Sequence, residues 1–183
     1  MAGVEFSVRR ATDADQEVIR RAIHQAWRWR DPWSETDFRH HLALGRPDSY
    51  VDDFGHRLGD VGFIGERPTG SGQQALGAAW YRHFTNENHR DGYVASNIPE
   101  IVVAVSEEAR GKGVGPALKS RLVYHATVSG LPGLSLHMST ENVRARHLYR
   151  TMGFVVVDDR RSRGVVMLKE VAGLKRDDDL ASS

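Results

Sequence analysis

Near the start of the chain Phe6 and Val8 alternate with polar neighbours, the two-residue period of a half-buried strand. Val18, Ile19, Ala22, Ile23 and Ala26 then recur at helical spacing, and Thr12 and Asp15 ahead of them stand three apart, as in a reciprocal helix cap. Ser34 and Asp37 repeat that signal after Asp31-Pro32, with Trp33 and Phe38 placed to staple a second helix that should end near Gly45. Residues 46–60 show no clear period. Residues 61–67 and 75–84 read as two strands of an antiparallel hairpin joined by a flexible turn over residues 68–74. After a polar stretch over residues 85–97, the continuous apolar run from Ile101 to Val105 predicts a central strand buried on both faces. A helix over residues 116–129 stopped by Gly130, a strand at 134–138, a helix at 142–152 stopped by Gly153, and strands at 154–157 and 165–168 complete the reading.

This order predicts an α/β (α+β) fold built on one mixed, mainly antiparallel sheet of six to seven strands flanked by about four helices. A chain of 183 residues is the size of one ordinary domain, and neither a repeat nor a linker divides it. No run approaches the roughly 18–20 apolar residues of a membrane span, and the start lacks the pattern of a signal peptide, so a cytoplasmic enzyme is expected. The absence of cysteine excludes disulfides, thiolate metal sites and an acyl-cysteine intermediate. A formal charge of +1 gives no reason to expect nucleic acid, and Arg160, Arg161 and Arg163 read as a solvated strand edge. The histidines are scattered, and the adjacent His40 and His41 lack the i, i+4 spacing of a zinc helix, so no metal is predicted.

Candidate chemistry begins with Arg110-Gly111-Lys112-Gly113-Val114-Gly115, between the apolar strand and a helix. Its amides and the helix dipole suit an anion, and the glycines let the backbone approach a phosphate closely. An ordinary glycine-rich connection would look similar. A Walker loop is disfavoured because Gly113 follows Lys112, and a dinucleotide fingerprint because the sixth position from Gly111 is Pro116.

Three segments together, residues 98–105, Arg110 to Gly115 and residues 142–154, resemble the GNAT (GCN5-related N-acetyltransferase) superfamily. Arg110, Gly113 and Gly115 match its Gln/Arg-x-x-Gly-x-Gly/Ala loop, and Asn142, Ala145, Tyr149, Gly153 and Phe154 match its downstream helix. The opening, from Arg9 through Asp15 and the following helix, is also similar to that family's. The resemblance implies an acetyltransferase domain over residues 4–172, followed by a tail over 173–183 expected to be disordered. It further implies a sheet splayed after its fourth strand, with acetyl-CoA as cosubstrate, its pantetheine along Val103, Ala104 and Val105 and its pyrophosphate on Arg110 to Gly115. Asn142, Ala145 and Tyr149 would face the same ligand.

Within that frame Tyr149 is the expected general acid, a phenol close enough in acidity to a departing thiol to protonate it. Apart from the family position, Tyr149 would read as a core residue beside Phe154. Glu100, at the mouth of the central strand, is the carboxylate best placed to take the amine's proton, directly or through water; it could equally anchor a substrate cation or lie as a solvated strand end. The Val103 amide suits the developing oxyanion. Trp27 follows the helix spacing and should pack, whereas Trp29 and Trp33 are pocket candidates, as is Tyr93 in a stretch long enough to form a lid. Asp52 and Asp53 are weaker candidates to attract a cation. The expected reaction is direct transfer of acetyl to a primary amine, a small molecule being favoured. A protein N-terminal or lysine acetyltransferase, or a non-catalytic acyl-CoA-binding module, is the alternative. Members of the family often pair, so a homodimer is possible.

Overall fold

The protein is represented by a computed structural model that describes residues 5–44, 48–159 and 164–171. Gly45, the three arginines at 160, 161 and 163, and residues 173–183 lie outside the described residues. In chain order the elements are β1 (Ser7–Arg10), a short 3-10 turn (Asp13–Asp15), α1 (Gln16–Trp27), α2 (Glu35–Ala43), β2 (Val61–Thr69), β3 (Gly72–Arg82), β4 (Glu100–Val105), a second 3-10 turn (Glu107–Ala109), α3 (Val114–Val128), β5 (Gly133–Met138), α4 (Val143–Thr151), β6 (Val155–Asp159) and β7 (Val165–Glu170). The described strands form a seven-stranded sheet in the order β1-β2-β3-β4-β5-β7-β6. The β4–β5 pair is parallel, and β1–β2, β2–β3, β5–β7 and β6–β7 are antiparallel. The expected mixed sheet with four helices is therefore present. The described residues fall into two compact units, one drawn from Met1–Arg82 and Val102–Leu122, the other from His83–Ile101 and Val123–Ser183.

In the first unit both predicted reciprocal caps form, the Thr12–Asp15 pair on the 3-10 turn that leads into α1 and the Ser34–Asp37 pair on α2. The Asp15 carboxylate accepts from the Thr12 amide at 2.9 Å and from Arg9 at 2.7 and 2.8 Å. The Arg9 guanidinium holds the Asp15 carboxyl below its ordinary range. Ser34 accepts from the Asp37 amide and Asp37 accepts from the Ser34 amide, each at 3.2 Å. α1 then buries Ile19, Ala22 and Ile23 against Val51, Phe54, Ile64, Ala78, Trp80 and Ala104. The β2–β3 turn is tighter than the sequence suggests: Thr69 pairs with Gly72, leaving Gly70 and Ser71 as the turn. Pro68 is tolerated there because β1 stops pairing at Glu66, so its missing N–H interrupts no ladder on that side.

Residues 48–60, unreadable by period, are held by a long-range brace. Arg82, at the end of β3, donates to Asp60 at 2.9 and 2.6 Å and to the carbonyls of Ser49 and Asp52 at 2.7 and 2.9 Å. Arg82 and Asp60 side chains are each 1% exposed. Asp52 is tied by Arg20 at 2.5 Å and by the Asp48 amide, so it is a structural anchor and not a lure for a cation.

His24 is a buried polar residue that the helical pattern conceals. It is 5% exposed, its Nε2 has no hydrogen-bond partner, and its ring packs against those of Trp27, Trp33, Phe38 and His41. Burial first, then the charges of His41, Arg20 and Arg28, lowers its pKa from 6.5 to about 4. Because the folded value lies below the unfolded one, neutral His24 favours the fold, and stability falls as pH drops from 6.5 towards 4. Urea unfolding at pH 7 and pH 4.5 should show wild type losing about 2 kcal/mol more than His24→Phe, at roughly 1.4 kcal/mol per pKa unit. Equal losses in the two proteins would refute this.

In the second unit β5 is almost wholly buried, and β7 lies between it and β6. The last two strands thus enter in reversed order, with the acidic pair Asp158 and Asp159 on the terminal strand, a charge that discourages edge pairing. Pairing of β4 with β5 is confined to one register position, Glu100 with Ser135. β4 itself is buried at Glu100, Ile101 and Ala104 and half-buried at Val102, Val103 and Val105, so the expectation of burial on both faces is corrected. An apolar run reads alike whether or not its second neighbour pairs along its whole length.

Candidate active site

In the first unit β4 runs through the 3-10 turn into the glycine loop. Arg110 is extended, with φ −63° and ψ 140°, and its amide donates to the Glu107 carbonyl at 3.2 Å. Gly111 and Gly113 follow with φ of 75° and 86°, the left-handed region that favours glycine. A Cβ at Gly111 would meet nothing within 4 Å, so conformation and not crowding requires glycine there. α3 begins at Val114, two residues earlier than the sequence predicts, so Gly115 lies in its first turn. Val114 and Gly115 thereby carry amides that a helix start leaves without an intrahelical acceptor, and Ala117 closes the first turn onto the Gly113 carbonyl at 3.1 Å. Arg110 and Lys112 are exposed beside them, adding positive charge to a site already favoured for an anion. Val103 and Val105 are half-buried, whereas Ala104 faces the core. This donor set fits a pyrophosphate.

Trp29 and Trp33, also in this unit, stand between α1 and α2. The Arg30 guanidinium lies 4.9 Å from the Trp29 ring and that of Arg28 4.8 Å from the Trp33 ring. Trp33 packs on His24 and His41 and closes the helix pair. Trp27, the last residue of α1, packs as expected, meeting the rings of His24 and Tyr50 at steep angles, though 55% of it stays exposed.

The second unit holds the titratable candidates. Glu100 is 3% exposed and accepts from the Gly92 amide at 3.1 Å. The Asn142 side-chain oxygen accepts from the Ala145 amide at 3.1 Å, so Asn142 caps α4 and fixes the start of the helix that carries Tyr149 two turns later. Tyr149 meets Phe154 edge-on, ring centroids 5.4 Å apart, and burial raises its pKa above the ordinary phenol value. Its proton is therefore held more firmly than the simple match of phenol and thiol implies. Tyr93 is half-buried and stacks on His89 at 5.2 Å. Lys119 on α3 of the first unit, unremarked in the sequence, is 3% exposed, and burial lowers its pKa to about 8. Among the described residues no group of three or more histidine or acidic side chains could hold a metal, and no helix is long and apolar enough to cross a membrane.

Residues 20–154 match the model of the Acetyltransferase (GNAT) family, which decides the assignment. The chain belongs to the GNAT acetyltransferase family. A mycothiol acetyltransferase of Cellulomonas flavigena is 32% identical over 131 residues, 68% of this chain but 37% of that protein, so the chain spans well under half the length of that relative. Among solved structures, the Salmonella typhimurium protein yncA, with acetyl-CoA as its cofactor, superposes with a TM-score of 0.63 at 22% identity, covering 94% of this chain and 97% of that one. The PaiA N-acetyltransferase of Thermoplasma acidophilum, in complex with coenzyme A, gives 0.65 at 16% identity, covering 91% and 99%. At such identities these two establish the GNAT fold.

Proposed function

We propose that this GNAT chain is an N-acetyltransferase that moves acetyl directly from acetyl-CoA to the primary amine of a small molecule. The glycine loop carries the reading: left-handed Gly111 and Gly113 feed the start of α3 beside Arg110 and Lys112, an arrangement suited to a pyrophosphate. The name of the Cellulomonas flavigena relative supports a small acceptor. The main chain of Val103, Ala104 and Val105 lines the pantetheine, and the Val103 amide stabilises the thioester oxygen as it takes charge. Glu100 accepts the proton of the incoming ammonium, directly or through water, freeing the lone pair that attacks the thioester carbon. As the carbon–sulfur bond breaks, the Tyr149 hydroxyl gives its proton to the leaving thiolate, and the nitrogen's second proton leaves to solvent. Asn142 and Ala145 set the helix from which Tyr149 acts, and Trp29, Trp33 and Tyr93 contribute to acceptor selection.

The test is thiol release from acetyl-CoA with polyamines, amino sugars, amino acids and short peptides, the last including free amino termini and lysine. A thiol reagent reads coenzyme A alone, since the protein has no cysteine. One class of small amine should turn over, and Tyr149→Phe should lower kcat about tenfold or more, roughly 1.4 kcal/mol of barrier, with the acetyl-CoA KM little changed. Because the Tyr149 pKa is raised, no alkaline loss of rate from its ionisation should appear below about pH 10. Turnover of peptides alone would make this a protein acetyltransferase. Coenzyme A binding without any turnover would make it a non-catalytic module.

A further inference from the structure

Residues 85–97, long enough to form a lid, fold into a series of hydrogen-bonded turns. Amides of Asn88, Tyr93 and Ile98 close successive turns onto the carbonyls of Thr85, Arg90 and Ala95 at 3.0–3.2 Å, and the His83 ring bonds the Ser96 carbonyl at 3.0 Å. The strap they make touches chemistry at Gly92, which is buried and gives its N–H to Glu100 Oε1. Gly92 does not have the left-handed backbone seen at Gly111 and Gly113. Space alone demands glycine: a Cβ there would press on Glu100 Oε1 and lie 2.8 Å from the His137 amide nitrogen, closer than real Cβ atoms come. The missing methylene lets the strap's main chain reach the carboxylate.

We propose that Gly92 is a positioning residue for acetyl transfer, holding the Glu100 carboxylate in one rotamer through its amide. The inference rests on the reading of Glu100 as the base. A hydrogen bond from a backbone amide to an ionised carboxylate is among the stronger kinds, and a base misplaced by about 1 Å loses rate steeply. Gly92→Ala displaces the carboxylate without altering its chemistry, so its effect on rate must disappear once the base is gone.

The experiment is a double-mutant cycle on the full chain, using acetyl-CoA and whichever amine the acceptor panel shows to be turned over fastest. Gly92→Ala should lower kcat about tenfold or more and change the acetyl-CoA KM less than about twofold; in a Glu100→Gln background the same change should alter kcat less than about twofold. Equal losses in both backgrounds, or no loss from Gly92→Ala, would overturn the positioning role. Full activity in Glu100→Gln alone would instead remove the base assignment beneath it. A second arm needs neither turnover nor a folded Gly92 variant. In nitrogen-labelled protein, Glu100→Ala should speed hydrogen exchange at the Gly92 amide about tenfold or more while leaving the α3 amides unchanged. An unchanged Gly92 amide would show that the carboxylate does not hold the strap.

Discussion

Arg82→Leu is expected to remove about 3–5 kcal/mol of stability, the usual cost of breaking a buried ion pair from one side. The variant leaves the Asp60 carboxylate buried without its guanidinium, and the carbonyls of Ser49 and Asp52 lose the donor they share. Since a domain is commonly stable by only about 5–15 kcal/mol, that is a large part of the whole. Urea titration should show a lower midpoint with the slope little changed. Arg82→Leu combined with Asp60→Leu should recover part of the loss, because the stranded charge goes with its partner. A loss below about 1 kcal/mol from the single change would mean that the brace contributes little.

Gly113→Val should weaken coenzyme A binding on the order of 50-fold or more, a little over 2 kcal/mol. A φ of 86° is hostile to a β-branched side chain, so the loop must relax, and the amides of Val114 and Gly115 turn with it. Calorimetry with coenzyme A measures the loss, and circular dichroism confirms that the fold survives. Gly70→Ala, on the β2–β3 turn with nothing within 4 Å of its added methyl, serves as the control and should bind as wild type does. A Gly113→Val protein that binds within about threefold of wild type would end the assignment of this loop to the pyrophosphate.

Local signals in the sequence are clear where short-range chemistry decides the outcome. The Thr12–Asp15 and Ser34–Asp37 caps need only side chains three residues apart; the first opens the 3-10 turn that runs into α1, and the second opens α2. The glycines of the loop are equally visible, although Pro116, at home in a first helical turn, marks the expected helix start two residues late, and the helix tolerates Gly115 in its first turn. What escaped the sequence depends on partners far along the chain or on room. Residues 48–60 take their shape from Arg82, some 20 to 35 positions away, and no periodicity records a guanidinium. The β5-β7-β6 order is a pairing choice, invisible to strand propensity. Gly92 reads as one more loop glycine until Glu100 and the His137 amide are seen beside it. Tyr149 stands out through its family position alone, because its pattern on α4 is equally that of a packed tyrosine against Phe154.

The brace at Arg82 also divides responsibility unevenly among the residues it joins. At Ser49 the guanidinium binds the main-chain oxygen, an atom every amino acid possesses. Arg82 and Asp60 contribute side-chain atoms that no other residue reproduces in the same geometry. The guanidinium's hold on position 49 is therefore blind to the side chain there, whereas its hold on position 60 exists only while an arginine faces a carboxylate.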